Sequence, residues 1–163
     1  MASMTDPSNA LHSFQEALLR RGMQLQRGAV HPELYLNTED ANGQPRFTYV
    51  TLEKTTVTAF VNLVLCAPIE GTPCFQVGYA VPEAYRRQGR AKIVLRMAIA
   101  ELQHGFSGLG PALYVEAIVG VDNVPSQRVA EQAISATAVA MTDGVSGLPA
   151  LRYLRKLDLT KSK

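Results

Sequence analysis

Hydrophobic positions along this chain follow two periods, and the switch between them is sharpest in residues 75–104. Phe75 to Val81 alternates apolar positions as a buried strand does, and Pro82 stops it. From Ala91 the spacing changes to three and four. Ala91, Leu95, Ala98 and Leu102, flanked by Val94, Met97 and Ile99, form the stripe of a helix with one buried face. Between the two periods lies Arg86-Arg87-Gln88-Gly89-Arg90-Ala91. Upstream, Pro7-Ser8 opens a capped amphipathic helix carrying Leu11, Phe14 and Leu18, with Arg20 and Arg21 at its end and Gly22 after it. Residues 22–32 have little pattern. Glu33–Leu36 predicts a short strand, Asn37–Pro45 a turn rich in Asn, Asp and Gly, Arg46–Glu53 a strand, and Thr56–Cys66 a longer, more buried one. Ala67–Pro73 is a turn. After the central unit, Ala112–Val119 reads as a strand, Asn123–Ile134 as a helix, Ala136–Thr142 as a strand, Asp143–Gly147 as a turn and Leu148–Leu157 as a last strand. TKSK is a frayed tail. The strands at 75–81 and 112–119, joined through a helix, should run parallel. The order predicts a mixed α/β (α+β) sheet, mostly antiparallel, with helices packed on it.

Composition narrows the class. The 163 residues suffice for one domain with a sizeable core, and 47% hydrophobic content suits a soluble globular protein. A net charge of +2 and sparse aromatics argue against a nucleic-acid binder. The opening MASMTDPSNA lacks the basic and apolar regions of a secretory signal. The apolar run Val57–Ile69 is broken by Thr58 and Asn62 and is too short to span a bilayer. A cytoplasmic setting is the expectation, with Cys66 and Cys74 as free thiols that could face each other across a hairpin. His12, His31 and His104 are scattered without metal-ligand spacing, so no metal is expected.

The chemistry concentrates at the glycine turn. A helix start offers backbone N–H groups without intrahelical partners, and Gly89 lets a ligand come close to them. Arg86, Arg87, Arg90 and Lys92 crowd the same point. Four cations at a helix start oppose its dipole unless an anion offsets them, and a phosphate is the natural one. The alternative is a solvated basic turn. Gly89-Arg90-Ala91-Lys92 lacks the Gly-Lys-Ser/Thr ending, which argues against a magnesium-nucleotide loop.

Arg86, Gly89 and Ala91, directly after Tyr79-Ala80-Val81-Pro82, resemble the phosphate loop of the GNAT superfamily of acyl-CoA-dependent N-acyltransferases. Glu116-Ala117 followed by Asn123, Ser126, Val129, Ala130 and Glu131 is similar to a segment of the ribosomal-protein N-acetyltransferase branch. The likeness covers residues 57–134, the acyl-CoA-binding core of a single domain spanning 1–163. Residues 1–45 lie outside it.

The resemblance implies a V-shaped gap between the strands at 75–81 and 112–119, holding the pantetheine arm of acetyl-CoA. It places Tyr79, Val81, Arg86, Arg87, Gln88, Gly89, Arg90, Ala91, Asn123 and Ser126 on the coenzyme. The backbone N–H of Val81 or Tyr79 would polarise the thioester carbonyl, and a primary amine would attack it directly. Ser126 aligns with the serine expected to donate to the departing thiolate; its other reading is a bond to main chain after the Asn123 cap. Asn123 itself touches the coenzyme arm, caps the helix, or does both. Ala130 stands where many relatives carry a tyrosine, leaving Tyr153 as a substitute acid or merely a half-buried aromatic. Glu116 is the candidate base, with a raised pKa if its surroundings are apolar. Its alternative is a solvent-facing strand position, since Tyr114, Glu116 and Ile118 share a face. The function implied is N-acetyl transfer from acetyl-CoA to a small-molecule or protein amine. A non-catalytic acyl-CoA sensor is the alternative, and the last strand could pair across a homodimer.

Overall fold

A computed structural model describes residues 6–41 and 43–160. The predicted residues 161–163 of the tail lie outside them. The elements are α1 (Pro7–Arg21), β1 (Gln26–Arg27), β2 (Leu34–Ala41), β3 (Gln44–Glu53), β4 (Thr56–Ile69), β5 (Thr72–Ala80), α2 (Arg90–Gly105), β6 (Ala112–Gly120), α3 (Val124–Ala133), β7 (Ala138–Thr142) and β8 (Pro149–Asp158). The strands form one eight-stranded sheet in the order β1-β2-β3-β4-β5-β6-β8-β7. Only β5 and β6 run parallel, as the crossover through α2 requires.

The two faces of the sheet bury different sets of side chains. α2 and α3 cover one face, packing Leu95, Ala98, Leu102 and Ala130 on Leu63, Phe75, Val115 and Tyr153. α1 covers the other with Leu11 and Phe14 against Val50, Phe60 and Ala80. Burying each of these large side chains stabilises the fold by about 1.5–3 kcal/mol. A register shift after Thr51 admits Thr58 as an extra residue, which turns Val57 onto the α1 face. Gln15 then ties α1 to that hairpin, accepting from the Val57 N–H at 2.7 Å and donating to the Thr55 carbonyl at 2.9 Å.

Capping sets the helix limits. Asp6 accepts from the Ser8 N–H at 2.9 Å, Pro7 occupies the first turn, and Gly22 ends α1 in the left-handed region at φ 59°. Asn123 caps α3 through the Ser126 N–H.

The first hairpin departs from the sequence reading. The segment read as a turn, 37–45, is mostly strand. Asn37 to Ala41 continue β2 and pair with Gln44 to Thr48, so the reversal falls after Ala41 and before Gln44, with Gly43 at φ 80°. The polar residues Thr38, Glu39 and Asp40 are exposed along a hairpin arm, where water serves them as well as a turn would. Likewise β4 runs on to Ile69, and the turn contracts to Glu70-Gly71, both at positive φ. Cys66 and Cys74 do face each other. Both are free, and the Cys66 thiol donates to the Cys74 carbonyl at 3.2 Å. Burial pushes both thiols above the usual range.

Candidate active site

The parallel pairing of β5 and β6 is short. It holds for Cys74–Gln76 against Tyr114–Glu116 and then stops. β5 goes on to Ala80, still paired to β4, and β6 goes on to Gly120, still paired to β8. Val77–Ala80 and Ala117–Gly120 are therefore two lips of a widening gap, each braced on its outer side. The backbone groups along the inner edges lack a strand partner, so they are available to an extended ligand.

Two cavities open from this gap. One, of about 660 Å³, runs along Tyr79–Val81 to the start of α2 and is lined by Arg86, Arg87, Gly89, Arg90, Ala91, Lys92 and Arg128. The other, of about 560 Å³, lies between the lips and is walled by Val77, Gly78, Ala117–Asp122, Leu148 and Pro149. Asp6, Pro7, Tyr79, Asn123 and Ser126 line both. The cavities thus meet at one shared wall.

The basic cavity offers an anion several partners. α2 begins at Arg90 after Gly89, which sits at φ 72° and offers no side-chain cap. The first intrahelical bond is Ile93 N–H to the Gly89 carbonyl. The N–H groups of Arg90, Ala91 and Lys92 therefore have no partner within the helix. A Cβ at Gly89 would meet nothing, so positive φ alone calls for glycine there. Arg87 also stands at φ 65°, a strained conformation for a side-chain-bearing residue. Arg86 turns back to donate to the Val81 carbonyl at 2.8 Å, pinning the turn to the strand end. Arg90 stacks over the Tyr85 ring at 5.1 Å and donates to the Gln88 side chain at 2.9 Å. Of the predicted coenzyme contacts, Gln88 alone lies off this cavity, facing a smaller hollow with Thr51 and Met97.

The remaining candidates scatter. Ser126 stands on the shared wall. Glu116 lines neither cavity. It is mostly covered and accepts from the Arg152 guanidinium at 2.6 Å, on the sheet face opposite α2. The apolar setting foreseen for it is replaced by an ion pair, because Arg152 on β8 sits diagonally across the strand pair. Tyr153 is fully buried rather than half-buried, and its hydroxyl has no hydrogen-bond partner among the described residues. It lines neither cavity. Asn123 caps α3 and also lines the two cavities.

One side chain escaped the sequence reading. Tyr79 was assigned only main-chain contacts, yet its hydroxyl crosses the gap. It donates to the Ser126 carbonyl at 2.7 Å and accepts from the Ser126 hydroxyl at 2.9 Å. Burial pushes the Tyr79 phenol up to about 12, while the Ser126 hydrogen bond pulls the other way. The strand alternation did hold a signal, since it points Tyr79 to the same face as Val77 and Val81, toward α3.

Comparison with known proteins bears on the fold and the family. No curated protein sequence matches the chain. Among solved structures, it is similar to RimL, a ribosomal L7/L12 alpha-N-protein acetyltransferase in complex with coenzyme A (TM-score 0.52, 16% identity). That match covers 70% of this chain and 63% of RimL, so the chain spans less than two thirds of that relative's length. The NatC complex bound to Gag peptide and CoA gives TM-score 0.52 at 15% identity, covering 68% of this chain and 70% of that one. An acetyltransferase of the GNAT family from Streptococcus pneumoniae gives TM-score 0.54 at 10% identity over 96% and 98% of the two chains. At these identities the likeness is one of fold. The sequence model of the acetyltransferase (GNAT) family matches residues 13–134, starting inside α1 and well before residue 57. The chain belongs to the acetyltransferase (GNAT) family.

Proposed function

We propose that the protein is an N-acetyltransferase that moves the acetyl group of acetyl-CoA to a primary amine within one ternary complex. The observation that carries this reading is the continuity of the two cavities. A basic groove at an uncapped helix start meets a second cavity at a shared wall between diverging strands. In this reading the N–H groups of Arg90, Ala91 and Lys92, with Arg87, hold the diphosphate. The edge of Val77–Ala80 pairs with the pantetheine amides, and a main-chain N–H of Tyr79 or Val81 polarises the carbonyl.

The acceptor enters through the second cavity. Its charged lining residues are Asp6 and Asp122, with no lysine or arginine among the described residues that line it. A cationic amine suits that lining, and a neighbouring carboxylate does not. The amine must lose a proton before attack, and water in the cavity or Asp6 can take it. Glu116 would serve only by giving up its Arg152 partner.

Thiol release from acetyl-CoA over a panel of amines tests the reading. Turnover should appear with primary amines, and an arylalkylamine should outperform the matching α-amino acid by about tenfold or more. Binding of CoA without release for any acceptor would instead support the sensor reading.

A further inference from the structure

Breaking a thioester expels a thiolate, and something must hydrogen-bond or protonate it. Direct transfer puts the reacting carbonyl where donor groove and acceptor cavity meet. That place is the shared wall, and among the described residues that line both cavities only Tyr79 and Ser126 bring hydroxyl groups to it. They are not equivalent. The Ser126 hydroxyl donates to the Tyr79 oxygen, so its proton reaches a third group only by way of Tyr79, whereas the Tyr79 proton goes to a carbonyl on α3. Within a helix that carbonyl also accepts from the N–H four residues on, so it keeps a partner if Tyr79 turns away.

We infer that Tyr79 is the group that donates its proton to the departing sulfur of the coenzyme, and that Ser126 is the residue that positions and sharpens it. This rests on the acyl-CoA reading of the site. In the step, the amine nitrogen bonds to the carbonyl carbon and the carbon–sulfur bond breaks toward sulfur. Sulfur takes the Tyr79 hydroxyl proton, Tyr79 recovers one from Ser126, and Ser126 takes one from solvent. The new amide's surplus proton leaves to solvent, so one proton enters and one departs. A hydrogen bond donated to the Tyr79 oxygen stabilises the phenolate that forms transiently, and an aligned hydroxyl pair strengthens each bond in it. Tyr79 reaches the wall from the opposite lip to the helix that carries Ser126, so neither the short loop motif nor the α3 segment announces it.

The test uses CoA itself. A donor aimed at sulfur stabilises the thiolate, so the thiol of bound CoA should titrate lower than it does without that donor. Ultraviolet thiolate absorbance of the wild-type complex, less that of protein alone, follows the titration. In Tyr79→Phe the bound thiol should titrate about one pH unit higher, a tenfold change in its equilibrium. Ser126→Ala should give a smaller shift in the same direction. CoA affinity and the melting temperature of both variants should stay close to wild type, which separates proton donation from a merely structural strut. In turnover, Tyr79→Phe should lower kcat at unchanged KM for acetyl-CoA. An identical thiol titration in wild type and Tyr79→Phe would overturn the inference while leaving the coenzyme site intact. Failure of the wild-type protein to bind CoA would overturn the acyl-CoA reading itself, and this inference with it.

Discussion

Glu101 shows how one residue can organise a loop that carries no pattern of its own. It sits on α2 with its side chain buried, and its carboxylate accepts from three successive backbone N–H groups, those of Ala29, Val30 and His31, at 3.0, 2.5 and 3.0 Å. Gly28 is required beside it, because a Cβ there would lie 2.4 Å from the His31 carbonyl and 2.7 Å from the carboxylate. Residues 22–32 looked formless in sequence because their order comes from a partner some 70 positions away. Glu101→Ala would take the acceptor from three part-buried donors and should cost about 1–3 kcal/mol in urea unfolding. Glu101→Gln keeps an acceptor oxygen and should cost distinctly less. Equal losses would mean that packing, not acceptance of these N–H groups, is what Glu101 supplies. Tyr79 and Ser126, 47 positions apart, were illegible together for the same reason.

Among elements, the reading succeeded where burial imposed a period. β4, β5, α2 and β6 bury their apolar faces, and each was found to within a few residues. It failed on the arm of β2, where exposed Thr38, Glu39 and Asp40 carry turn-like chemistry without making a turn. The β7–β8 connection went the other way, with its turn foreseen at Asp143–Gly147. The Asp143 carboxylate accepts from the Ser146 N–H at 2.9 Å and its hydroxyl at 2.7 Å. These bonds hold its pKa below the usual carboxylate value of 3.8. The stabilisation is complete above the unfolded-state pKa and is lost as pH falls through the lower folded-state one. Wild-type unfolding free energy should therefore drop more steeply than that of Asp143→Asn between about pH 5 and 2. Parallel slopes would show that the turn does not depend on that charge. The residues this turn presents, Leu148 and Pro149, wall the second cavity, so the same acid range should loosen that wall.

At the scale of the molecule, the sheet is one structure with a deliberate failure of pairing in its middle. The βαβ order foretold the parallel pair, and the glycine turn pointed to a basic helix start beside it. What the sequence could not convey is where the pairing ends, at Gln76 and Glu116, because that depends on how β4 and β8 brace the outer edges. Nor could it convey that Glu116 would find Arg152 and that Tyr153 would sink into the core. In the proposed function the joined cavities supply the chemistry, and the basic one is the part on which the rest depends. The most direct measurement is calorimetric titration of CoA into the wild-type protein and into Arg87→Glu/Arg90→Glu, with melting curves to confirm that both are folded. Wild type should bind with an affinity that weakens as salt rises, and the double variant should bind at least about a hundredfold more weakly. Equal affinity in the two proteins, or no binding to a folded wild type, would contradict the account.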